Sequence, residues 1–185
     1  MTARSGNWTI PNALTVARIL CTPLFIVFFL NGRYMAALSM FALAGVSDAL
    51  DGFLARVLDQ RSALGAMLDP LADKVLLTTS FLCLAWADWL PLWLTVTVVS
   101  RDVLILGGVA LLCFWGQDMR SRIRPSRLSK ITTACQMCLI LAAFAQARGL
   151  FGGEGVTEAL IWVTAVLTIA SGGHYVARGL AMFSK

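Results

Sequence analysis

Charge is scarce in this sequence. Only 14% of its 185 residues are Asp, Glu, Lys or Arg, while 58% are hydrophobic and the mean hydropathy is +0.78. An ordinary soluble domain carries about a quarter charged residues, so water is excluded as the main solvent. Histidine is reduced to His174, a lone residue near the end of the last apolar stretch that reads as structural. Zinc chemistry loses its usual partners with it: Cys135 and Cys138 form C-x-x-C, but no second pair or nearby His completes a set. With Cys21, Cys83 and Cys113 they all lie inside apolar stretches, which predicts small buried hydrophobes and no disulfide framework. Internal repeats and low-complexity segments are also missing. The first 12 residues carry Arg4 but no long Arg/Ser-rich run, so they resemble neither a cleaved signal nor an organelle address.

What remains is apolar length. Six stretches stand out: Ile10–Leu30, Tyr34–Leu54, Pro70–Leu90, Leu92–Trp115, Ile131–Arg148 and Val156–Val176. A bilayer crossing takes about 20 apolar residues, so residues 1–185 are filled by roughly six spans forming one membrane domain. The expected fold class is therefore all-α, a polytopic membrane protein of six transmembrane helices. An even number of spans puts both termini on one side. One set of connections holds Arg4, Arg56, Arg61, Arg120, Arg122, Arg124, Arg127, Lys130, Arg178 and Lys185, and the other only Arg33 and Arg148. The positive-inside rule then places both termini in the cytoplasm, as in a bacterial inner membrane.

The net charge of +5 lies at membrane boundaries, where it sets orientation and attracts anionic lipid. Nucleic acid is not an expected partner. Arg18, Lys74 and Arg101 fall within the spans, where charge is expensive and commonly has a task. For Arg18, snorkelling to the helix end and a ligand contact are both open. For Arg101 and its neighbour Asp102, so are an internal ion pair and a substrate contact.

Acidic residues are few but concentrated. Ser47–Lys74 reads SDALDGFLARVLDQRSALGAMLDPLADK and holds five of the chain's ten acids in 28 residues. Asp48 and Asp51 are three apart, Asp69 and Asp73 four apart, so each pair projects from one face of a helix. On antiparallel neighbouring helices all four would converge in an acidic cavity facing the cytoplasm. Four adjacent carboxylates cannot all stay ionised without compensating charge. Divalent cations supply it, and oxygen ligands without Cys or His favour Mg2+ or Mn2+ over zinc. Two such ions about 3.5–4 Å apart clamp a diphosphate well. Gly52 and Ala55 leave room for a nucleotide near the backbone, Arg56 offers paired hydrogen bonds to phosphate, and Gly65 allows close helix packing.

These residues carry a resemblance. Asp48, Asp51-Gly52, Ala55-Arg56, Gly65, Asp69 and Asp73 match D-x2-D-G-x2-A-R-x8-G-x3-D-x3-D, the signature of the CDP-alcohol phosphatidyltransferases, at all eight positions. With each residue type at roughly 5–8% abundance, chance agreement at one start is on the order of one in a billion. The likeness runs from Ile10-Pro11-Asn12 to about Gln136. It implies a homodimer in which Asp48, Asp51, Asp69 and Asp73 surround two metal ions and Asp73 also takes the proton of the acceptor hydroxyl. Gly52, Ala55, Arg56 and Gly65 would line the CDP site, and the donor would be CDP-diacylglycerol.

The signature leaves the acceptor open. Val99–Val103 (VSRDV) and RIRPSRLSKITTACQ, with the segments around the acids, are most similar to the cardiolipin synthases of this family, whose acceptor is phosphatidylglycerol. The IPN-x-LT-x-x-R opening and LDP-x-ADK are shared with the phosphatidylglycerophosphate synthases, whose acceptor is glycerol 3-phosphate. Arg124, Arg127 and Lys130, with Arg101, are the candidate ligands for an acceptor phosphate. An ion-coupled transporter is the reading from another class, since intramembrane acids also mark ion paths. It predicts repeats around a midplane site, against one-sided acids and no repeat. Aspartate-rich prenyl transferases of membranes generally need more spans than this length supplies.

Overall fold

The computed structural model describes the backbone of residues 10–57, 65–114, 127–149 and 154–183, and the side chains of residues 17–47, 74–108, 128–149 and 155–177. The described residues form six helices and no strand: α1 Ile10–Leu30, α2 Tyr34–Val57, α3 Gly65–Trp86, α4 Leu92–Phe114, α5 Arg127–Ala147 and α6 Glu154–Phe183. They fall into two compact units, Met1–Cys83 and Leu84–Lys185.

In the first unit α1 packs along α2. The reversal between them takes three residues. Gly32 adopts φ +70°, its N–H donates to Phe29 O (3.0 Å), and the Arg33 N–H donates to Phe28 O (2.9 Å). This pair of bonds satisfies the last carbonyls of α1, and the left-handed conformation suits glycine. Phe25, Phe29 and Phe41 are buried. The Phe25 ring lies 5.9 Å from Phe29 and 6.4 Å from Phe41, between centroids.

In the second unit α4 and α5 both pack against α6. Its core combines apolar Leu94, Val98, Leu139, Ile140 and Phe144 with polar Thr95, Arg101, Asp102, Thr132, Gln136, Thr164, Thr168 and Ser171, all buried. Its outer surface is apolar. On α6, Val156, Trp162, Val163, Val166, Ile169 and Val176 are exposed, from 46% to 65%. Leaving half of one such side chain in water forfeits about 1 kcal/mol. The six together forfeit roughly 6 kcal/mol, comparable with the whole net stability of about 5–15 kcal/mol of a typical domain. An apolar outside around a polar inside is the distribution that lipid selects.

The helices also satisfy their own hydroxyls. Ser39, Ser47, Ser80, Thr97 and Thr132 each donate to the carbonyl four residues back, at 2.8 Å. No water is then needed for groups that hydrocarbon cannot satisfy. Among the described residues, Leu128–Ala147 and Gly155–Ala177 are long and apolar enough to cross a membrane.

Three expectations are corrected here. The third helix runs Gly65–Trp86, not Pro70–Leu90. Its end is fixed by Asp88, which takes φ 57°. The Asp88 N–H donates to Ala85 O (3.2 Å) and the Trp89 N–H to Leu84 O (2.9 Å). Asp88 thus caps the helix; Asp is among the few residues besides Gly that tolerate this conformation. The fifth and sixth helices exceed their apolar cores, α5 beginning at Arg127 and α6 running Glu154–Phe183. Cysteine burial is uneven: Cys83 is buried, Cys21 and Cys135 half-buried, and Cys138 exposed on the apolar outside, all four as free thiols. Cys113 lies outside the described side chains.

Candidate active site

The eight signature positions sit on two helices. Asp48, Asp51, Gly52, Ala55 and Arg56 occupy the last turns of α2, and Gly65, Asp69 and Asp73 the first turns of α3. Helical backbone through both segments puts positions 48, 51, 52 and 55 along one stripe of α2, and 65, 69 and 73 along one stripe of α3. The side chains of residues 48–73, and with them the convergence of the carboxylates, lie outside the described set. Among the described residues no cluster of three or more His, Cys, Asp or Glu offers a metal site. The donor types along the two stripes are carboxylates alone, without His or Cys from 48 to 73, and such a set fits a hard divalent cation.

The candidate acceptor residues separate. Arg124 lies outside the described residues. Arg127 is the first residue of α5, with its side chain outside the described set, and Lys130 is exposed in the first turn of the same helix. Arg101 is different, being 3% exposed in the middle of α4. Its Nη1 donates to Asp102 Oδ1 at 2.6 Å. Its Nη2 donates to Ser129 Oγ of α5 and to Ser171 Oγ of α6, both at 2.8 Å. One guanidinium therefore ties three helices together, using the fork of donors that lysine lacks. The Arg101 stem passes close to Gly172, where a Cβ would meet Arg101 Cγ in ordinary contact at 3.5 Å.

Toward the other end of the unit, the Thr132 hydroxyl also reaches Leu167 O (3.3 Å), and Gln136 Nε2 reaches Thr168 Oγ1 (3.4 Å). The internal ion pair left open for Arg101 and Asp102 is thus present, and it includes two serines that sequence reasoning did not single out. Serine in an apolar helix normally bonds within its own helix, so nothing in the string marks Ser129 and Ser171 as cross-helix partners. Arg18 on α1 is buried, 1% exposed, and does not extend to a surface. His174 is exposed on α6.

Comparison with known proteins adds identity at the level of family. Residues 8–170 match the sequence model of the CDP-alcohol phosphatidyltransferase family. A cardiolipin synthase (CMP-forming) of Rattus norvegicus is 36% identical over 182 residues, covering 91% of this chain and 60% of the relative. A cardiolipin synthase (CMP-forming) of Streptomyces coelicolor is 42% identical over 110 residues, 56% of this chain and 51% of the relative. A CDP-diacylglycerol–glycerol-3-phosphate 3-phosphatidyltransferase of Cereibacter sphaeroides is 31% identical over 217 residues, 94% of this chain and 96% of the relative. The chain spans only about three fifths of the length of its mammalian relative.

Proposed function

The chain belongs to the CDP-alcohol phosphatidyltransferase family, and from that premise we propose that it transfers a phosphatidyl group from CDP-diacylglycerol to a phosphate-bearing alcohol, releasing CMP. The observation that carries this reading is the complete eight-position signature, Asp48 to Asp73, inside the matched span. Asp48, Asp51, Asp69 and Asp73 hold two divalent cations, Mg2+ or Mn2+. When bound, such ions neutralise the diphosphate and the charge that develops on it. Gly52, Ala55 and Gly65 give the cytidine diphosphate close access to the helix backbones, and Arg56 donates to its phosphate.

Asp73 accepts the proton of the acceptor hydroxyl as its oxygen forms a bond to the lipid-side phosphorus. The bond from that phosphorus to the bridging oxygen breaks, and CMP departs with the electron pair. Arg124, Arg127 and Lys130 attract the acceptor's own phosphate. With six spans, one for each apolar stretch, ten basic residues against two in the alternate connections put both termini and the acids on the cytoplasmic side, and the membrane we propose is a bacterial inner membrane. The protein acts as a homodimer, as the resemblance implies.

For the acceptor we favour phosphatidylglycerol, giving cardiolipin, because both the flanking segments and the rat and Streptomyces relatives point that way. Glycerol 3-phosphate is the second reading, favoured by the Cereibacter relative, which matches over 96% of its own length. The deciding experiment gives purified protein in detergent micelles CDP-diacylglycerol, Mg2+ or Mn2+, and each acceptor separately, and weighs the lipid product. Cardiolipin formed only with phosphatidylglycerol supports the assignment. Phosphatidylglycerophosphate formed only with glycerol 3-phosphate replaces it. Neither lipid product, with no CMP, removes the proposed activity altogether.

A further inference from the structure

On α1 the buried side chains Arg18, Thr22, Phe25 and Phe29 follow one another at steps of four, three and four residues, along one stripe of the helix. The positions between them expose Leu20, Leu24 and Val27. On α2 the buried Ala37, Phe41 and Ala44 form a matching stripe, and the next position along it, four residues on, is 48. The two stripes face each other, since the Phe25 ring lies 6.4 Å from that of Phe41 across the hairpin. Away from the reversal at Gly32 the helices run antiparallel, so equal steps along each reach equal depth. Arg18 stands seven residues before Phe25, and Asp48 seven residues after Phe41. Seven residues are about 10 Å of rise and bring a helix back to within about 20° of the same face. Arg18 of α1 and position 48 of α2, the first of the signature acids, therefore stand opposite each other within one unit of the fold.

A guanidinium stays charged when buried, and a buried charge is costly unless it is paired. We propose that Arg18 is a positioning residue for Asp48: its guanidinium pairs with the Asp48 carboxylate across the α1–α2 hairpin and holds it for the divalent cation. The cation belongs to the transferase reading above, and holding it rests on that reading; the pairing follows from the register alone. A carboxylate has two oxygens, so it can accept from the Arg18 fork at one and face a metal with the other. Groups behind a metal-ligating carboxylate fix its orientation, and losing one typically costs about 10–100-fold in metal affinity. Arg18 thereby serves the site from a helix that carries none of the eight signature positions.

The test uses two measurements that need no turnover. Mn2+ binding to the purified protein is followed by the electron paramagnetic resonance of the free ion. Arg18→Gln should weaken it about tenfold, whereas Arg18→Lys, which keeps the charge without the fork, should weaken it less. In chelator-treated protein, Arg18→Gln and Asp48→Asn form a double-mutant cycle read by thermal midpoint. The double variant should fall short of the summed single losses by about 3–10 °C, and Asp51→Asn should couple to Arg18→Gln clearly less. Should Arg18→Gln not fold, Arg18→Lys takes its place in the cycle. Mn2+ binding that is unchanged, or tighter because a repelling charge has gone, overturns the proposal. So do additive losses, or stronger coupling to Asp51 than to Asp48. A wild-type protein that binds Mn2+ and shows the coupling but releases no CMP overturns the transferase reading and leaves the pairing standing.

Discussion

Removing one half of the Arg101–Asp102 pair is expected to cost more than removing both halves. The two side chains are 3% and 5% exposed and 2.6 Å apart, and the guanidinium also serves two serine hydroxyls at 2.8 Å. Arg101→Met takes this cation from the buried Asp102 carboxylate, and Asp102→Leu takes this carboxylate from the buried guanidinium. Truncating one member of a buried pair costs about 3–5 kcal/mol, whereas replacing both by well-packed apolar groups is often close to neutral. Arg101→Met and the double variant both also take the Arg101 donor from the two serine hydroxyls, a shared cost of about 1–3 kcal/mol. At roughly 2–4 °C per kcal/mol for a chain of this length, each single variant should lower the melting midpoint by about 6–20 °C. Arg101→Met/Asp102→Leu should lose clearly less than the two single losses added together. The assay is thermal unfolding in detergent followed by size-exclusion profile, arranged as a double-mutant cycle. Additive losses, or singles that melt within about 2 °C of the wild type, would refute the claim that this pair clamps the unit.

Other outcomes follow from the same residues. Asp48→Asn, Asp51→Asn and Asp69→Asn keep side-chain shape without the charge, and should each lower CMP release by orders of magnitude; normal turnover after exhaustive chelation of the wild type would remove the metals from the account. Single-cysteine labelling in a cysteine-free background should find residue 88 and residue 124 on opposite sides of the membrane, and labelling from one side alone would sink the topology. At position 172 the Cβ of alanine meets Arg101 Cγ at an ordinary 3.5 Å, so Gly172→Ala should melt within about 1 °C of the wild type. Gly172→Leu, which must displace the Arg101 stem, should cost about 1–3 kcal/mol, read in the same melting assay.

Much of the helix order was legible because a bilayer imposes a length, and α1, α2 and α4 begin where the apolar stretches begin. The mismatches share a cause. Hydropathy marks where lipid starts, but a helix starts where its backbone bonds start, so α3, which begins at Gly65 ahead of Asp69 and Asp73, and α5, whose first turn holds Arg127 and Lys130, both start before the apolar window. The cap at Asp88 was equally hidden, since its effect depends on a backbone angle of 57° and the carbonyls beneath it. The acids could be picked out by spacing, because positions three or four apart share one face of a helix. Arg101 could be recognised as costly but not assigned. Its partners Ser129 and Ser171 lie 28 and 70 residues away, and a lone serine carries no mark of what it will face.

CMP release is the most direct readout of the proposed transfer. Purified protein in liposomes should release CMP from CDP-diacylglycerol only when both an acceptor and Mg2+ or Mn2+ are present, with one new phospholipid formed per CMP. In the same assay Asp73→Asn should still bind CDP-diacylglycerol but release CMP at least about a hundredfold more slowly, the usual effect of losing a general base. No CMP from the wild type, or undiminished release from Asp73→Asn, would contradict it.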